Sequence, residues 1–400
     1  MQRAKQTERR VDVAVIGGGV IGITTAICLE LRGYSTAIYT AKIPFRDEPS
    51  PEFATPYAAA SIKPASVTMS RQQRALAISQ EIFGFLANTG SMGVRQQPHF
   101  VLHEEDHSDP EYADTVSGFC RISEIEQYPH RPNANAVFGW RFNAYFAELP
   151  VYIARCYALY ESLGGVVHER SLTRETCRNL PSDVLVNCAG IGSQEIFDDQ
   201  RPWMIHVGHQ VLVDGLPLIR TDSGDLFSYN YTPHPDAVAD GFAGEVYAYP
   251  RMDTLVLGGS RLPVALEDDW DGHIPGVSRS VGDVEVPARI VTINDELLDS
   301  YTGISIETGN LAGRYGFRPV RDPDGDGVRI ERESLDGRPV IHNCGHGGAG
   351  VTLSWGSAVK ACELVTEVAD PAPTPLSVSR EFTFARRLAT RIRSDYDFGR

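Results

Sequence analysis

The sequence has few of the features that mark membrane, secreted or nucleic-acid-binding proteins. No apolar stretch among its 400 residues is long enough to span a bilayer. The apolar run after Arg10 is interrupted by glycines and ends without a small-residue cleavage site, so it does not predict a secretion signal. Aspartate and glutamate (52) outnumber lysine and arginine (37), for a net charge of -15. That excess argues against a nucleic-acid backbone or an anionic membrane as partner, and a bound carboxylate needs a local cation.

Cysteine is scarce and its spacing is uninformative. The seven cysteines are an odd number, and no two of them form a CxxC motif. This pattern argues against a disulfide framework and a zinc site, so we expect no metal and a reducing, cytoplasmic location. The apolar fraction of 42% is large enough for a sizeable interior, and the length predicts two domains.

A strand, a glycine turn and a helix open the chain. Residues 11–16 are nearly all apolar, as in a buried parallel strand, and residues 21–31 have helical spacing that ends at Gly33. Residues 35–39 predict a second strand, which completes a βαβ unit. Alternating patterns over residues 201–265 predict an antiparallel sheet farther along the chain.

The glycine turn matches the GxGxxG motif in the required context. Gly17 permits the tight turn, Gly19 lets a pyrophosphate approach the backbone, and Gly22 lets the helix pack on the strand. The free N–H groups at Val20 and Ile21, with the helix dipole, favour a phosphate. The motif predicts a bound dinucleotide, but it does not separate NAD from FAD.

The end of the second predicted strand departs from the usual pattern. A carboxylate normally stands there to hold the adenosine ribose, whereas this sequence reads Tyr39-Thr40-Ala41-Lys42. Lys42 either lies near the adenosine or a phosphate, or is a solvated lysine.

Segments near the C-terminus resemble the D-amino acid oxidase family, whose relatives include D-aspartate oxidase and glycine oxidase. They are GFRPVR at 316–321 and VIHNCGHGGAGVT at 340–352. Three alanines at 58–60, VNCAG at 186–190 and YAYPRMDTLVLGG at 247–259 also fit. The resemblance spans most of residues 11–367 and is patchy over 90–150 and 222–245.

The resemblance implies an α/β fold, with a Rossmann-like FAD-binding domain interleaved with an antiparallel-sheet α+β substrate domain. The first domain is expected to comprise residues 10–90, 150–200 and 306–370, and the second residues 91–149 and 201–305. Residues 371–400 are expected to form a polar tail.

The same resemblance implies FAD, held without a covalent bond, and a set of residues that line it. The glycine-rich corner before the last helix is expected to face the flavin N1 and O2 edge with bare backbone amides. The cofactor-binding set is Gly17, Gly19, Val20, Ile21, Gly22, Lys42, Ala59, Ala60, Ser61, Leu172, Ala189, Gly190, Gly347, Gly348, Gly350, Val351 and Thr352.

Three residues are expected to hold the substrate. A guanidinium matches a carboxylate bidentately, and by resemblance Arg318 clamps the substrate carboxylate. Tyr247 matches a tyrosine that also holds the carboxylate, and the Gly348 carbonyl matches the acceptor of the substrate amine. A second family tyrosine falls on Ala243, beside Phe242, which leaves the substrate's identity open.

The expected reaction is hydride transfer from the α-carbon of a small amino acid to flavin N5. The resulting imine hydrolyses, and O2 is reduced to H2O2. The substrate is either a primary D-amino acid, or glycine or an N-substituted glycine. A non-catalytic flavin-binding redox sensor and an NAD-dependent dehydrogenase are the competing classes, and a homodimer is left open.

Four other features each admit a functional and a structural interpretation. Residues 322–333 fit the EF-hand pattern, but strand-like flanks favour an acidic hairpin turn. His342 and His346 are four apart, and packing near the flavin is the better interpretation of them than a metal site. Cys344 stands near the flavin corner, but the family position is an unattached tyrosine. Lys63, which replaces a glutamine before Pro64, either assists oxygen reduction or is structural.

Overall fold

The computed structural model describes residues 9–46, 50–64, 69–122, 128–134, 137–221, 223–235, 244–265, 270–323 and 327–369. Its helices are α1 (Val20–Leu31), α2 (Met69–Thr89), α3 (Leu149–Ser162), α4 (Arg174–Arg178), α5 (Ser193–Phe197), α6 (Arg289–Thr302) and α7 (Gly350–Val368).

The strands fall into two large sheets and one small hairpin. They are β1 (Val11–Ile16), β2 (Thr36–Thr40), β3 (Ser61–Ile62), β4 (Val94–His103), β5 (Ser117–Arg121), β6 (Phe138–Ala147), β7 (Val166–Glu169), β8 (Ser182–Asn187), β9 (Trp203–Asp214), β10 (Ser228–Thr232), β11 (Val246–Pro250), β12 (Thr254–Gly258), β13 (Leu262–Ala265), β14 (Ser278–Val281), β15 (Val284–Pro287), β16 (Asn310–Arg321), β17 (Arg329–Leu335) and β18 (Arg338–Cys344).

The first sheet has the order β17-β18-β8-β1-β2-β7 and is parallel except at its β17–β18 edge. Its central strand, β1, is buried along almost its whole length, as its apolar run predicts. Helices α1, α2, α3 and α7 pack in the main core with one face of this sheet. The predicted βαβ unit and its nucleotide-binding architecture are confirmed.

The second sheet contains ten strands in the order β13-β9-β12-β11-β10-β4-β6-β3, with β16 added on β9 and β5 on β6. It is antiparallel in all its described pairs except β4 with β10, which run parallel. Residues 201–265 thus form the predicted antiparallel strands. On its other side, β10 pairs antiparallel with β11.

Strand β16 lies in the second sheet, where it pairs with β9 from Asn310↔Asp214 to Arg321↔Trp203. The domain boundary expected at residue 306 therefore does not coincide with the division between the sheets. Helix α6 ends at Thr302. Gly303 ends it with a left-handed φ of 68°.

The acidic segment after β16 is not a hairpin turn. Strand β16 belongs to the second sheet, whereas the next strand, β17, pairs with β18 in the first. The segment is therefore a crossover between sheets, since the two flanking strands have different partners. Residues 324–326 at its centre lie outside the described residues, as do the expected tail at 371–400 and the positions of Phe242 and Ala243.

An ion pair secures this crossover. Arg321, at the end of β16, donates from Nε and Nη2 to the two carboxylate oxygens of Asp199, at 2.6 and 3.1 Å. Asp199 follows α5, beside the first sheet, and both side chains are buried. Burial alone raises the pKa of Asp199, but the hydrogen bonds and charge of Arg321 bring it below its ordinary value.

None of the helices in the described part of the chain combines the length and apolar character needed to cross a bilayer.

Candidate active site

A first cavity of about 510 Å³ opens at the carboxyl ends of the parallel strands. Its floor is the turn between β1 and α1, where Gly17 has φ +107° and a Cβ would lie 2.3 Å from the Cys188 carbonyl oxygen. At Gly22 a Cβ would lie 1.8 Å from the Gly17 carbonyl oxygen, so only glycine lets the helix approach the turn. This edge of a parallel sheet is where nucleotides bind in such folds.

Most of the cofactor-binding residues expected from the sequence line this cavity. Gly22 lines neither this cavity nor the second one described below, since it packs behind the turn. The lining members are Gly17, Gly19, Val20, Ile21, Lys42, Leu172, Ala189, Gly190, Gly347 and Gly350. Lys42 is exposed at the end of β2, and Glu52 and Glu195 supply carboxylates at this cavity that the sequence did not single out.

A second cavity of about 540 Å³ lies against the large mixed sheet. It takes in the other expected cofactor-binding residues, Ala59, Ala60, Ser61, Gly348, Val351 and Thr352, together with Arg318 and Tyr247. The residues that line both cavities are Val20, Ala54, Thr55, Gly347 and Gly350. The two cavities therefore meet at the N-termini of α1 and α7, where an elongated ligand can extend from one into the other.

Thr55 stands at this junction, and the sequence did not indicate it. Its Oγ1 accepts a hydrogen bond from the Val20 N–H at 3.0 Å, so it caps α1 from another segment of the chain. Helix α1 has no side-chain cap at its own N-cap residue, Gly19. A cap brought in from 35 residues away carries no local signal, so only the folded chain reveals it.

Arg318 projects from β16 into the second cavity. Its Nη1 donates to the Ser260 carbonyl oxygen at 3.0 Å, and the guanidinium covers Gly208, where a Cβ would lie 2.3 Å from Nη1. Burial lowers the pKa of Arg318 from its ordinary value, opposed by Tyr247. The guanidinium keeps its charge at neutral pH, because arginine titrates far above it.

Tyr247 lies on β11, stacked on Tyr249 with ring centroids 4.4 Å apart. Its oxygen accepts a hydrogen bond from Gln210 Nε2 at 3.1 Å. The side-chain amide oxygen of Gln210, Oε1, in turn accepts hydrogen bonds from Arg314 Nε and Nη2, at 3.0 and 2.7 Å. Arg314 thus fixes which way the amide points, and the hydroxyl proton of Tyr247 is left to donate elsewhere.

The corner at Gly347–Ala349 presents backbone to both cavities. The nearest atom to a Cβ at Gly348 would be Arg318 Cδ, at 3.8 Å, so bare backbone and guanidinium are neighbours here. His346 precedes the corner; burial lowers its pKa to about 4, and its Nε2 finds no hydrogen-bond partner in the described part of the chain. An orphaned buried nitrogen beside open backbone fits a site completed by a polar ligand.

His342 and Cys344 both lie on β18, and Cys344 borders the first cavity. His342 lies on β18, between the Asn187 amide (3.0 Å) and Glu333 (2.9 Å), so it is packed by protein groups. Burial raises the pKa of the Cys344 thiol to about 11. A glycine cradle, two joined cavities and an orphaned His346 nitrogen together fit FAD.

Lys63 is buried, lines the second cavity, and donates from Nζ to Asn230 Oδ1 at 2.5 Å. Other charged residues in the same lining were not predicted from the sequence: Glu245, Arg261 and Arg289. No local sequence motif predicts these three residues, because they come from separate segments that only the fold brings together.

Comparisons with known proteins agree with this architecture. The sequence profile of the family described as FAD dependent oxidoreductase (DAO) matches residues 12–364. A D-amino-acid oxidase of Streptomyces coelicolor is 31% identical over 380 residues, covering 92% of this chain and all of that protein. A D-aspartate oxidase of Homo sapiens is 26% identical over 377 residues, with 92% and 98% covered.

Among solved structures, the chain resembles glycine oxidase from Geobacillus kaustophilus. The TM-score is 0.62 at 17% sequence identity, with 93% of this chain and 99% of that chain covered. This likeness shows the shared fold, and the profile and sequence matches show the lineage. The chain belongs to the DAO family of FAD-dependent oxidoreductases.

Proposed function

We propose that this protein is an FAD-dependent oxidase that takes a hydride from the α-carbon of a small amino acid. The substrate is a D-amino acid, glycine or an N-substituted glycine. The observation that carries the proposal is the charged Arg318 guanidinium beside the bare Gly347–Gly348 backbone, inside a cavity joined to a nucleotide cradle. In an acidic chain, this cation supplies the local attraction that a carboxylate needs.

Arg318 and Tyr247 hold the substrate carboxylate. The planar guanidinium offers a fork of donors, and one arm is already oriented by the Ser260 carbonyl. Tyr247 adds a hydroxyl donor, because Gln210 occupies its acceptor side. A carboxylate fixed at two points leaves the α-carbon little freedom to turn, and such positioning contributes on the order of several kcal/mol to the rate.

The Gly348 carbonyl accepts a hydrogen bond from the neutral substrate amine and so orients it, while the nitrogen lone pair stays available. When bound, FAD supplies the two-electron acceptor for the hydride. Amides at the N-terminus of α7 favour negative charge beside them. The substrate leaves as an imine, which water hydrolyses to a 2-oxo acid and an amine.

Dioxygen is the proposed final electron acceptor, with H2O2 as its product. A cytoplasmic location fits the free cysteines, of which all but Cys120 are buried. A homodimer stays a prediction, which sedimentation of the purified protein tests.

The test is anaerobic mixing of the yellow protein with a panel of D-amino acids, glycine and N-methylglycine while the flavin absorbance is followed. We expect bleaching with at least one of these compounds. In Arg318→Ala we expect retained FAD and a rate reduced about 10²- to 10³-fold, because a bidentate charged contact is lost. A protein that stays yellow with every amine, or an Arg318→Ala variant that bleaches at the original rate, contradicts the proposal and favours a redox sensor.

A further inference from the structure

The second cavity carries more positive charge than one carboxylate requires. Its described lining holds four cationic side chains, Lys63, Arg261, Arg289 and Arg318, against one carboxylate, Glu245. This accumulation occurs in a chain whose net charge is -15. On the proposed function, Arg318 binds the α-carboxylate, so the partner of the remaining charge has to be found.

The other charged residues of this lining lie near the opening or bind backbone. Glu245 and Arg261 are both exposed, and they stand at the neighbouring ends of β11 and β12. Arg289 is committed to the backbone, since it donates to the Gly259 and Gly244 carbonyl oxygens at 2.7 and 3.2 Å. Lys63 is the inner cation: burial lowers its pKa and the charge of Glu245 opposes this, but Glu245 forms no ion pair with it among the described residues.

Lys63 is 6% exposed and makes no ion pair among the described residues. Its one hydrogen-bond acceptor, Asn230 Oδ1, is neutral and also accepts from the Tyr249 hydroxyl at 2.7 Å. The ammonium also lies 5.9 Å from the centroid of the Tyr249 ring. Buried charges are normally paired, because an isolated ammonium is costly to take out of water. An ammonium that is unpaired within the protein yet borders a ligand cavity therefore indicates an acidic group on the ligand.

The sheet sets the distance between Lys63 and Arg318. Asn230 on β10 lies opposite Tyr247 on β11, and Tyr247 lies opposite Gly258 on β12. Gly258 lies opposite Gln210 on β9, and the Arg318 guanidinium covers Gly208, two residues away on that strand. This path crosses three strand spacings, or about 14 Å, and both side chains extend into the same cavity, so the two charged groups stand within about that distance of each other. Charge-assisted hydrogen bonds of about 2.8 Å at each end then leave up to about 8 Å between two acids, which accommodates a diacid of about four to six carbons.

We infer that the substrate is an amino dicarboxylic acid, whose second carboxylate is bound by Lys63 while Arg318 holds the α-carboxylate. This rests on the proposed function and narrows its substrate class. Lys63 acts here as a specificity-determining residue. The second carboxylate supplies the anion that the buried ammonium lacks.

The test uses succinate and its monoamide, succinamate, which match in size and differ by one charge. Neither is oxidised, so their dissociation constants follow from the change in flavin absorbance of the holoenzyme. We expect succinate to bind about ten- to a hundred-fold more tightly. Lys63→Met should bring this ratio close to one, Lys63→Arg should keep most of it, and Lys360→Met, which alters a lysine outside the cavity, should leave it unchanged.

Bleaching with D-aspartate and D-asparagine provides the second readout, and the same ratio should appear in the reduction rates. Equal binding of succinate and succinamate by the original protein overturns the inference, as does a ratio that survives in Lys63→Met. If Lys63→Met instead slows reoxidation by oxygen with both substrates and leaves the ratio between diacid and monoamide unchanged, Lys63 serves the reaction with oxygen. That result would also overturn the inference. The titration needs only bound FAD, so it can succeed even where the proposed oxidation fails.

Discussion

The two cavities that meet at Gly347 and Gly350 are built from different materials. The first is walled largely by backbone, namely a glycine turn, strand ends and helix N-termini. The second is walled by side chains, with an arginine, a lysine and stacked tyrosines carried on separate strands. Backbone walls recognise what every member of a cofactor class shares, whereas side-chain walls change readily and select among substrates. The first cavity should therefore fail as a unit when its backbone is disturbed, and the second should lose function contact by contact.

The largest expected effect is in the backbone cavity. In Gly22→Ala the new Cβ meets the Gly17 carbonyl oxygen, and backbone atoms cannot move aside cheaply. We expect FAD content to fall at least about tenfold, because the turn proposed to hold the pyrophosphate is displaced. The ratio of flavin to protein absorbance after purification measures it.

Gly33→Ala is the matched control at the other end of α1. A Cβ there meets nothing within 4 Å, although φ is +96°. We expect a loss of about 1 kcal/mol in unfolding free energy with full FAD content. Equal flavin content in both variants would show that the turn is not what holds the cofactor.

In the side-chain cavity, removing one contact should weaken the reaction while the cofactor stays. On the proposed function, Tyr247→Phe loses a hydroxyl that donates to the substrate carboxylate, so we expect kcat/KM to fall about tenfold. Flavin content should be unchanged. Tyr145→Phe, outside the cavity, should have no effect on kcat/KM, and a comparable loss in both variants would argue against a specific role for Tyr247.

Acid should destabilise both regions. Burial lowers the pKa of His346 beside the first cavity, and of His209 behind the second, to about 4. The unfolded chain binds protons below about pH 6.5, while the folded chain excludes them until about pH 4. Stability is therefore fully present above pH 6.5 and falls as the pH drops toward 4.

We expect a Tm that is several degrees lower at pH 5 than at pH 7, measured by calorimetry. His209→Gln should reduce this difference, whereas His273→Gln, an exposed position, should leave it as it is. An identical Tm at the two pH values would show that burial of these imidazoles does not govern acid stability.

The smallest expected effect concerns Ala60, which lines the second cavity just before β3. Ala60 is buried with φ +60°, a conformation that costs a non-glycine residue about 1–2 kcal/mol. Ala60→Gly should raise the unfolding free energy by up to about 1 kcal/mol, because glycine relieves more strain than its chain entropy costs. Denaturant titration measures this, with Ala59→Gly as the control that should destabilise instead.

The same contrast explains what the sequence predicted. The turn at Gly17–Gly22 was found because its geometry depends on residues that are adjacent in the chain. Arg318 and Tyr247 were found by resemblance to a family, and the structure places both in one cavity. Thr55, Asn230 and Arg289 were missed, because each acts through partners at least 30 residues away. The crossover after β16 was mistaken for a hairpin, since strand pairing is not encoded in the intervening turn.

The crossover after β16 also affects how the two cavities are aligned with each other. Arg318 stands three residues before Arg321 on β16, and Arg321 is held to Asp199 beside the first sheet. The ion pair therefore fixes the strand that carries Arg318 relative to the sheet that forms the first cavity. We expect a chain without this ion pair to keep its flavin and to bind its substrate, but to hold the two in poorer alignment for the reaction.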